Sequence, residues 1–440
     1  MTSNKHIFKI TYPILLTLVA QNIINVTNTA FLGRVGEVEL GASAIGGVFY
    51  FAIYMIGFGF SQGAQILIGR RNGEKNYGAI GVIFNNALLF NIILSALIFA
   101  ISVKGVPVLM KLAVSSQPVY EASVAYLDWR IYAYIFAFAG TIFRSFYVGI
   151  TETRILTISA ILMAVTNIVF DYVLIFGHWG FPAMGIEGAG ISSVIAEVVT
   201  LVYIVIYTVY REDLKKYGLF KFKKVELKTI LQILDLSIFI MFQYFMSIST
   251  WFMFFVLIEH TGERNLAISN IGRGLYILLM IPASALATTA NTLVSNLIGA
   301  ARKEEVVPFI NKMARISIIV VFPFATFAYF FPELCANIYT DDASLILASI
   351  DTIKVVALAN FIFAAFFIVL NGVSGTGNTR TAFFMEVITL ICYICYVYYT
   401  AISNPQPIYI VWMSEFVYWT IIGLLGYWYL LKGNWRKKEI

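Results

Sequence analysis

The sequence predicts an all-α polytopic membrane protein, with twelve transmembrane helices arranged as two parallel six-helix repeats. Three observations carry that expectation. The chain is 60% hydrophobic and only 12% charged, against roughly 25% charged for a soluble domain. Apolar runs recur along its whole length, each near the roughly 20 residues that a bilayer-spanning helix needs. The chain also repeats itself at an offset of 226 residues. Gly36-Glu37, Leu40 and Ile45-Gly46 return as Gly262-Glu263, Leu266 and Ile271-Gly272. Ala64, Leu67 and Gly73 return as Ala290, Leu293 and Gly299, Asn85 as Asn311, and Gly149 with Thr153-Arg154 as Gly375 with Thr379-Arg380. Matches in one register over half a chain mark a duplication.

In the first copy the spans are expected near 10–31, 41–68, 79–101, 124–148, 155–177 and 185–210. The first carries Thr17, Gln21, Asn25 and Asn28 at intervals of four, four and three, which is one helical face. Hydrogen bonds between membrane helices contribute only about 0.6 kcal/mol each. Four polar groups in one stripe exceed what helix pairing needs, so a cavity lining is expected. Pro13 can bend this helix. Gly57, Gly59 and Gly63 in the second span permit close packing or local unwinding. In the fourth, Asp128 and Arg130 lie near the outer end and are expected to pair with each other or reach the interface. The fifth places Asn167 and Asp171 at i and i+4, and the sixth does the same with Ser193 and Glu197. An ionisable residue within a span costs on the order of 2.5–3.5 kcal/mol on insertion scales, so it marks a functional site by default.

The segment 211–228 is the one long polar stretch, basic through Lys215, Lys216, Lys221, Lys223 and Lys224. It reads as a solvated loop near anionic lipid. The expected organisation is a six-helix lobe at 1–214, a cytoplasmic linker at 215–228 and a second lobe at 229–440. The second copy spans 231–258, 267–297, 312–334, 346–373, 380–402 and 408–431. Asp235, Arg315 and Lys354 lie near helix ends and read as structural. Arg273, Glu386 and Glu415 lie deeper and are secondary candidates. Pro282 and Pro323 can bend their helices.

Lys and Arg placement sets the orientation. The two tails and every second loop carry 21 of them, the opposite loops four. Both termini are therefore expected in the cytoplasm, in the plasma (inner) membrane of the cell. Six spans per copy make the repeat parallel, about an axis along the membrane normal. The net charge of +6 is then mostly this bias, and the lipid bilayer, not a nucleic acid, is the expected partner. No Ser/His/Asp set, zinc motif or Walker loop is spaced along the chain, and Cys392 and Cys395 sit mid-helix without a second ligand pair. No enzyme, cofactor or metal centre is expected. The first span lacks a small-residue cleavage site and reads as a retained helix.

Several stretches resemble the multidrug and toxic compound extrusion (MATE) transporters, especially their DinF-like branch. They are Tyr12-Pro13 through Asn28-Thr29-Ala30-Phe31-Leu32-Gly33-Arg34-Val35-Gly36, Asn167-Ile168-Val169-Phe170-Asp171, and Gly185-Ile186-Glu187-Gly188-Ala189-Gly190. In the second copy, Ile281-Pro282, Ala290-Asn291-Thr292-Leu293-Val294 and Gly375-Thr376-Gly377-Asn378-Thr379 belong to the same pattern. The resemblance implies two six-helix lobes forming a V around a central cavity, in a monomer that exports cationic or amphipathic small molecules in exchange for H+ or Na+. It places cation coupling on Asp171, with Asn167 beside it, and on position 28, where this chain has Asn instead of the family's Asp. Asn28 keeps the shape and hydrogen bonding of Asp but takes up no proton. A sodium ion, if used, would bind at Asp171, and Gln21, Asn25, Ser193 and Glu197 would line the cavity. Acidic residues that some branches carry in the seventh and tenth spans fall here near Ser247–Ser249 and Phe363. The alternatives are a dedicated metabolite or lipid-linked exporter or flippase with weakened coupling, and a non-transporting scaffold. A polar stripe facing an intramembrane Asp argues against the scaffold. A twelve-span facilitator of the major superfamily would carry an Asp ahead of Gly69-Arg70-Arg71, and none lies between Ser61 and Ile68.

Overall fold

A computed structural model describes residues 2–221 and 225–437. Lys223 and Lys224 of the linker lie outside the described residues. The elements are helical throughout: α1 Asn4–Val35, α2 Glu37–Gly73, α3 Tyr77–Ala113, α4 Gln117–Arg130, α5 Ala133–Gly149, α6 Arg154–Phe176, α7 Gly185–Tyr210, α8 Leu227–Glu259, α9 Glu263–Gly299, α10 Val306–Phe330, α11 Pro332–Ala336, α12 Ala343–Gly375, α13 Thr379–Tyr398, α14 Ile408–Trp412 and α15 Ser414–Lys432. Among the described residues eleven helical stretches are long and apolar enough to cross a bilayer, and the pair α4–α5 makes twelve when counted as one span. The protein is thus an all-α, multi-pass membrane protein.

The fourth span is not the continuous helix that hydropathy suggests. It bends by 53° between α4 and α5. The bonds Tyr132 N–H to Trp129 O (3.2 Å) and Tyr134 N–H to Ile131 O (3.1 Å) span three residues instead of four, tightening the chain at the bend. The last two spans are also interrupted. A π-helical turn, Tyr399–Ser403, follows α13, and α14 is separated from α15 at Met413.

Contacts divide the chain into two compact units, Phe8–Met241 and Met1–Ile7 with Phe242–Ile440, so the division falls inside α8. In the first unit, Tyr50, Tyr126, Leu127, Tyr134, Phe138 and Ala189 form a core between α2, α4, α5 and α7. A smaller apolar contact, Ala20 and Ile24 against Ala160 and Ala164, seats α1 on α6. Small residues there let the backbones approach closely. The linker docks on α3: Asn85 Nδ2 donates to Gly218 O (3.3 Å), and Asn85 Oδ1 accepts from Phe220 N–H (2.8 Å). Asn86 Oδ1 accepts from Glu226 N–H (2.8 Å). Leu214 and Tyr217 are buried, so this segment carries structure beyond its charge.

In the second unit the core gathers Phe254, Tyr276, Ile353, Val356, Tyr393 and Trp412 from α8, α9, α12, α13 and α14. Trp412 Nε1 donates to Ser269 Oγ (3.1 Å), satisfying the indole inside that core. The chain's first residues join this unit, where Lys312 Nζ donates to Thr2 O (2.6 Å).

Close helix approach in the first unit depends on Gly57, where an added Cβ would meet Phe138 ring carbons at 2.6–2.7 Å. Gly41 and Gly47 of the same helix have nothing within 4 Å. Gly57→Val should therefore destabilise the protein by about 1–3 kcal/mol through overpacking. Gly41→Ala and Gly47→Ala should not. Thermal unfolding in detergent reads the difference, and equal melting temperatures for all three would refute it.

Candidate functional site

Three helices converge on Asp171. Its carboxylate sits on α6 with 0% exposure, and Asn167, one turn earlier, is 1% exposed. Ser192 and Ser193 approach from α7. The Ser192 hydroxyl donates to Asp171 Oδ1, and Asn167 Nδ2 donates to Ser193 Oγ at 3.4 Å. Asn28 reaches in from α1. Oriented as its neighbours require, its Nδ2 donates to Asp171 Oδ2 (2.6 Å), Asn167 Oδ1 (2.9 Å) and Ile24 O (3.1 Å). Each Asp171 oxygen thus faces a donor from a different helix. Threonine bonds reinforce the seat of α1: Thr17 Oγ1 contacts Leu156 O (3.3 Å) and Thr153 Oγ1 donates to Ile10 O (3.0 Å).

The structure brings Asn28, Asn167, Asp171 and Ser193 into one network. Gln21 and Asn25 are exposed on α1, outside it. Thr17, from the same stripe, is a helix-pairing group that also bonds Pro13 O (2.9 Å). Ser192 was not singled out in the sequence, because a lone serine beside Ser193 carries no signal until α7 is rotated into place.

Glu197 belongs to a neighbouring cluster. It interacts electrostatically with Arg130, Tyr50 and Tyr54. Arg130 ends α4, and its guanidinium carbon stands 3.9 Å from the centroid of the Tyr50 ring. Tyr50 in turn stacks on Tyr134, with centroids 4.8 Å apart and planes within 5°. Arg130 Nε and Nη1, Tyr50 OH and Tyr134 OH are buried with no hydrogen-bond partner. The expected pairing with Asp128 does not form. Residues two apart leave a helix on different sides, and Asp128 is exposed. Stacking on an aromatic ring contributes about 0.5–2 kcal/mol, while burying an ion costs several kcal/mol, so Tyr50 alone does not balance this cation. α7 reaches α4 through Gly190, where an added Cβ would lie 2.8 Å from Tyr126 O. That approach places Arg130 within electrostatic range of both Asp171 and Glu197.

The second unit holds two further buried carboxylates. Glu386 on α13 accepts from Ser247 Oγ (2.8 Å), Gln243 Nε2 (3.3 Å) and Tyr418 OH. Glu415 on α15 accepts from Tyr276 OH (2.7 Å), Trp419 Nε1 (3.1 Å) and Tyr393 OH (3.4 Å). Among the described residues neither forms an ion pair, and Arg273 lies over Phe255 at 4.8 Å. Neutral donors alone surround both. Sequence reasoning named these two glutamates but not their donors, which come from four helices.

The MatE family model matches residues 13–173 and 237–399, one match in each copy of the repeat. The probable multidrug resistance protein NorM of Thermotoga maritima is 24% identical, over 99% of this chain and 94% of that protein. Its namesake in Photorhabdus laumondii is 21% identical, over 97% and 91%. Among solved structures, an outward-facing multidrug resistance MATE family transporter of the MOP superfamily superposes with a TM-score of 0.91 at 14% identity. The match covers 99% of this chain and 97% of that one. A MOP superfamily transporter from Pyrococcus furiosus, described as having a binding pocket of reverse polarity, gives 0.91 at 15% identity over the same shares.

The two serines on α7 separate by their geometry. Ser192→Ala leaves a buried carboxylate oxygen without its hydroxyl donor and should cost about 1–3 kcal/mol. Ser193→Ala removes only a long bond to an amide and should cost less. Denaturation midpoints of the purified variants order the two, and the reverse order would overturn the network as described.

Proposed function

The chain belongs to the MatE family of membrane transporters, and from that premise we propose a secondary active exporter that exchanges H+ or Na+ for cationic or amphipathic small molecules. The observation that carries this reading is the Asp171 network: a fully buried carboxylate on α6 served by donors from α1 and α7 instead of by a structural ion pair. Asp171 is the coupling group. Asn28 and Asn167 position it, and Gln21, Asn25, Ser193 and Glu197 are the proposed substrate-facing groups. The multidrug names of the full-length relatives favour this reading over a dedicated exporter or flippase.

Asn28 gives the coupling a local mechanism. An amide presents a donor on one edge and an acceptor on the other. With Asp171 ionised, Nδ2 faces the carboxylate. With a proton on Oδ2, a turn of the amide would present its oxygen to the new O–H. The side chain therefore reports the state of Asp171 to α1 without itself titrating. The proposed lobes, 1–214 and 229–440 joined by the linker 215–228, would alternate access by rocking. Cation binding must favour one state, because a ligand shifts an equilibrium only through differential affinity. One charge crossing about 150 mV supplies roughly 3.5 kcal/mol, enough for a gradient of a few hundred-fold at about 1.4 kcal/mol per decade. One coupling site per cycle suffices. The basic tails and linker support the reading of both termini as cytoplasmic, in a protein proposed to act as a monomer in the plasma (inner) membrane.

Ethidium movement in inverted vesicles, with Na+ and pH gradients imposed separately, tests the assignment. The native chain should respond to one of the two gradients. Asp171→Asn should abolish the response with membrane expression intact, and an unchanged response would sink the coupling role. Asn28→Leu, which removes both edges of the amide, should weaken the response more than Asn28→Asp.

A further inference from the structure

We propose that α8 is the hinge of the exchange cycle, flexing between Met241 and Thr250, and that Glu386 is the positioning residue that holds it through Gln243 and Ser247. The boundary between the two compact units falls between Met241 and Phe242, inside a helix of 33 residues that contains no Gly or Pro. Sharp bends normally sit at such residues or at an interrupted hydrogen-bond ladder, so the sequence of α8 preselects no flexing point. Its anchoring does. The first part is held by α2, where an added Cβ at Gly63 would lie 2.8 Å from Ser237 Cβ and 2.9 Å from Ile233 O. One at Gly59 would lie 2.6 Å from Met241 Cγ. Ile233, Leu236 and Ser237 are buried there. The last part is held in the second unit, where Phe254 meets Trp412 edge to face (centroids 5.2 Å) and Trp251 stacks on Tyr276 (6.2 Å). Between these anchors none of residues 241–249 is buried, and Phe242 and Phe245 are exposed.

Two polar side chains of this middle stretch converge on one group. Gln243 and Ser247, one turn apart on the same face, donate to the carboxylate of Glu386 on α13 at 3.3 and 2.8 Å. Glu386 is itself 1% exposed. A hydrogen bond to a carboxylate is roughly twice as strong as one between neutral groups, and inside a bilayer no water replaces it. Bending α8 here changes the spacing of the two donors, so both cannot keep their bonds to one carboxylate. Glu386 therefore favours the present shape of α8, and its release favours the other. The linker is a poor flexing element by comparison. Asn85 and Asn86 hold its backbone on α3, and an added Cβ at Gly81 would lie 1.8 Å from Tyr217 O. The linker and the first part of α8 thus travel with the first lobe, and rocking bends the helix instead of the loop.

This inference rests on the exporter reading, so shape and transport are measured separately. The full chain, with Cys335, Cys392 and Cys395 replaced by Ala, is spin-labelled in nanodiscs at two pairs of exposed positions. One pair is Lys215→Cys with Leu231→Cys, the other Leu231→Cys with Leu424→Cys. In one fixed buffer, double electron–electron resonance should give the first pair the same distance with Glu386 present or changed to Ala. The second pair should gain a population shifted by several ångströms in Glu386→Ala. Gln243→Leu with Ser247→Ala, which leaves the carboxylate in place, should give the same shift and decides the matter if Glu386→Ala does not fold. Tyr418→Phe removes the donor that α15 gives Glu386 and should leave both distances native. A second pair unmoved in both latch variants, a first pair that moves, or an equal shift in Tyr418→Phe overturns the hinge. In proteoliposomes the latch variants should lower the maximal rate of gradient-driven ethidium movement roughly tenfold while KM changes less than about twofold. A change in KM alone would overturn the positioning role. Absence of native transport would refute the exporter assignment and leave the label distances to decide the hinge.

Discussion

The hydrogen bonds on Asp171 tie α1, α6 and α7 together, because a carboxylate with no exposure inside a bilayer must find every donor within the protein. α6 alone cannot supply them, since its own N–H groups are spent on the helix. One donor therefore comes from Asn28 on α1 and one from Ser192 on α7. They add to the apolar contact of Ala20 and Ile24 with α6 and to the buried Ile10, Ile14 and Leu32 in seating α1. The buried carboxylate of the first unit thus also helps to hold its first helix.

The duplication makes the contrast with the second unit informative. Both units face the same constraint, and the second meets it with phenols, an indole, an amide and a serine hydroxyl around Glu386 and Glu415. At the repeat offset these glutamates correspond to Ala160 and Ala189, while Asn28 and Asp171 correspond to Phe254 and Val397. Shared backbone geometry has therefore not preserved the polar positions. Ser247, in the stretch Ser247–Ser249 near which the resemblance puts an acid of other branches, donates to Glu386. Phe363, the other such position, packs its ring 4.7 Å from Trp419, a donor to Glu415. In this unit the buried carboxylates stand on α13 and α15.

How much of this was legible in the sequence follows from the range of each signal. Span number and order depend on local hydropathy and were readable. The bend between α4 and α5 was not, since no Pro or Gly marks residues 131–132. The i, i+4 pair Asn167–Asp171 and the Asn28 stripe were readable because helix periodicity puts each set on one face. Which members of the stripe meet α6 was not, because that depends on where α1 crosses it: Asn28 meets the Asp171 network, Thr17 meets backbone, and Gln21 and Asn25 stay exposed. Arg130 was misread for a related reason. Asp128 is near in sequence, but the ring that Arg130 stacks on in space is that of Tyr50, 80 residues away along the chain on α2.

Arg130 also shapes what an exchange cycle at Asp171 can be. Its charge acts on Asp171 and on Glu197, so the three groups form one electrostatic unit. A cation arriving at Asp171 removes part of what balances Arg130 and leaves the guanidinium more receptive to an anion. By linkage the effect is reciprocal. An anion near Arg130 would therefore favour a cation at Asp171, and the three groups would respond to charge as one unit.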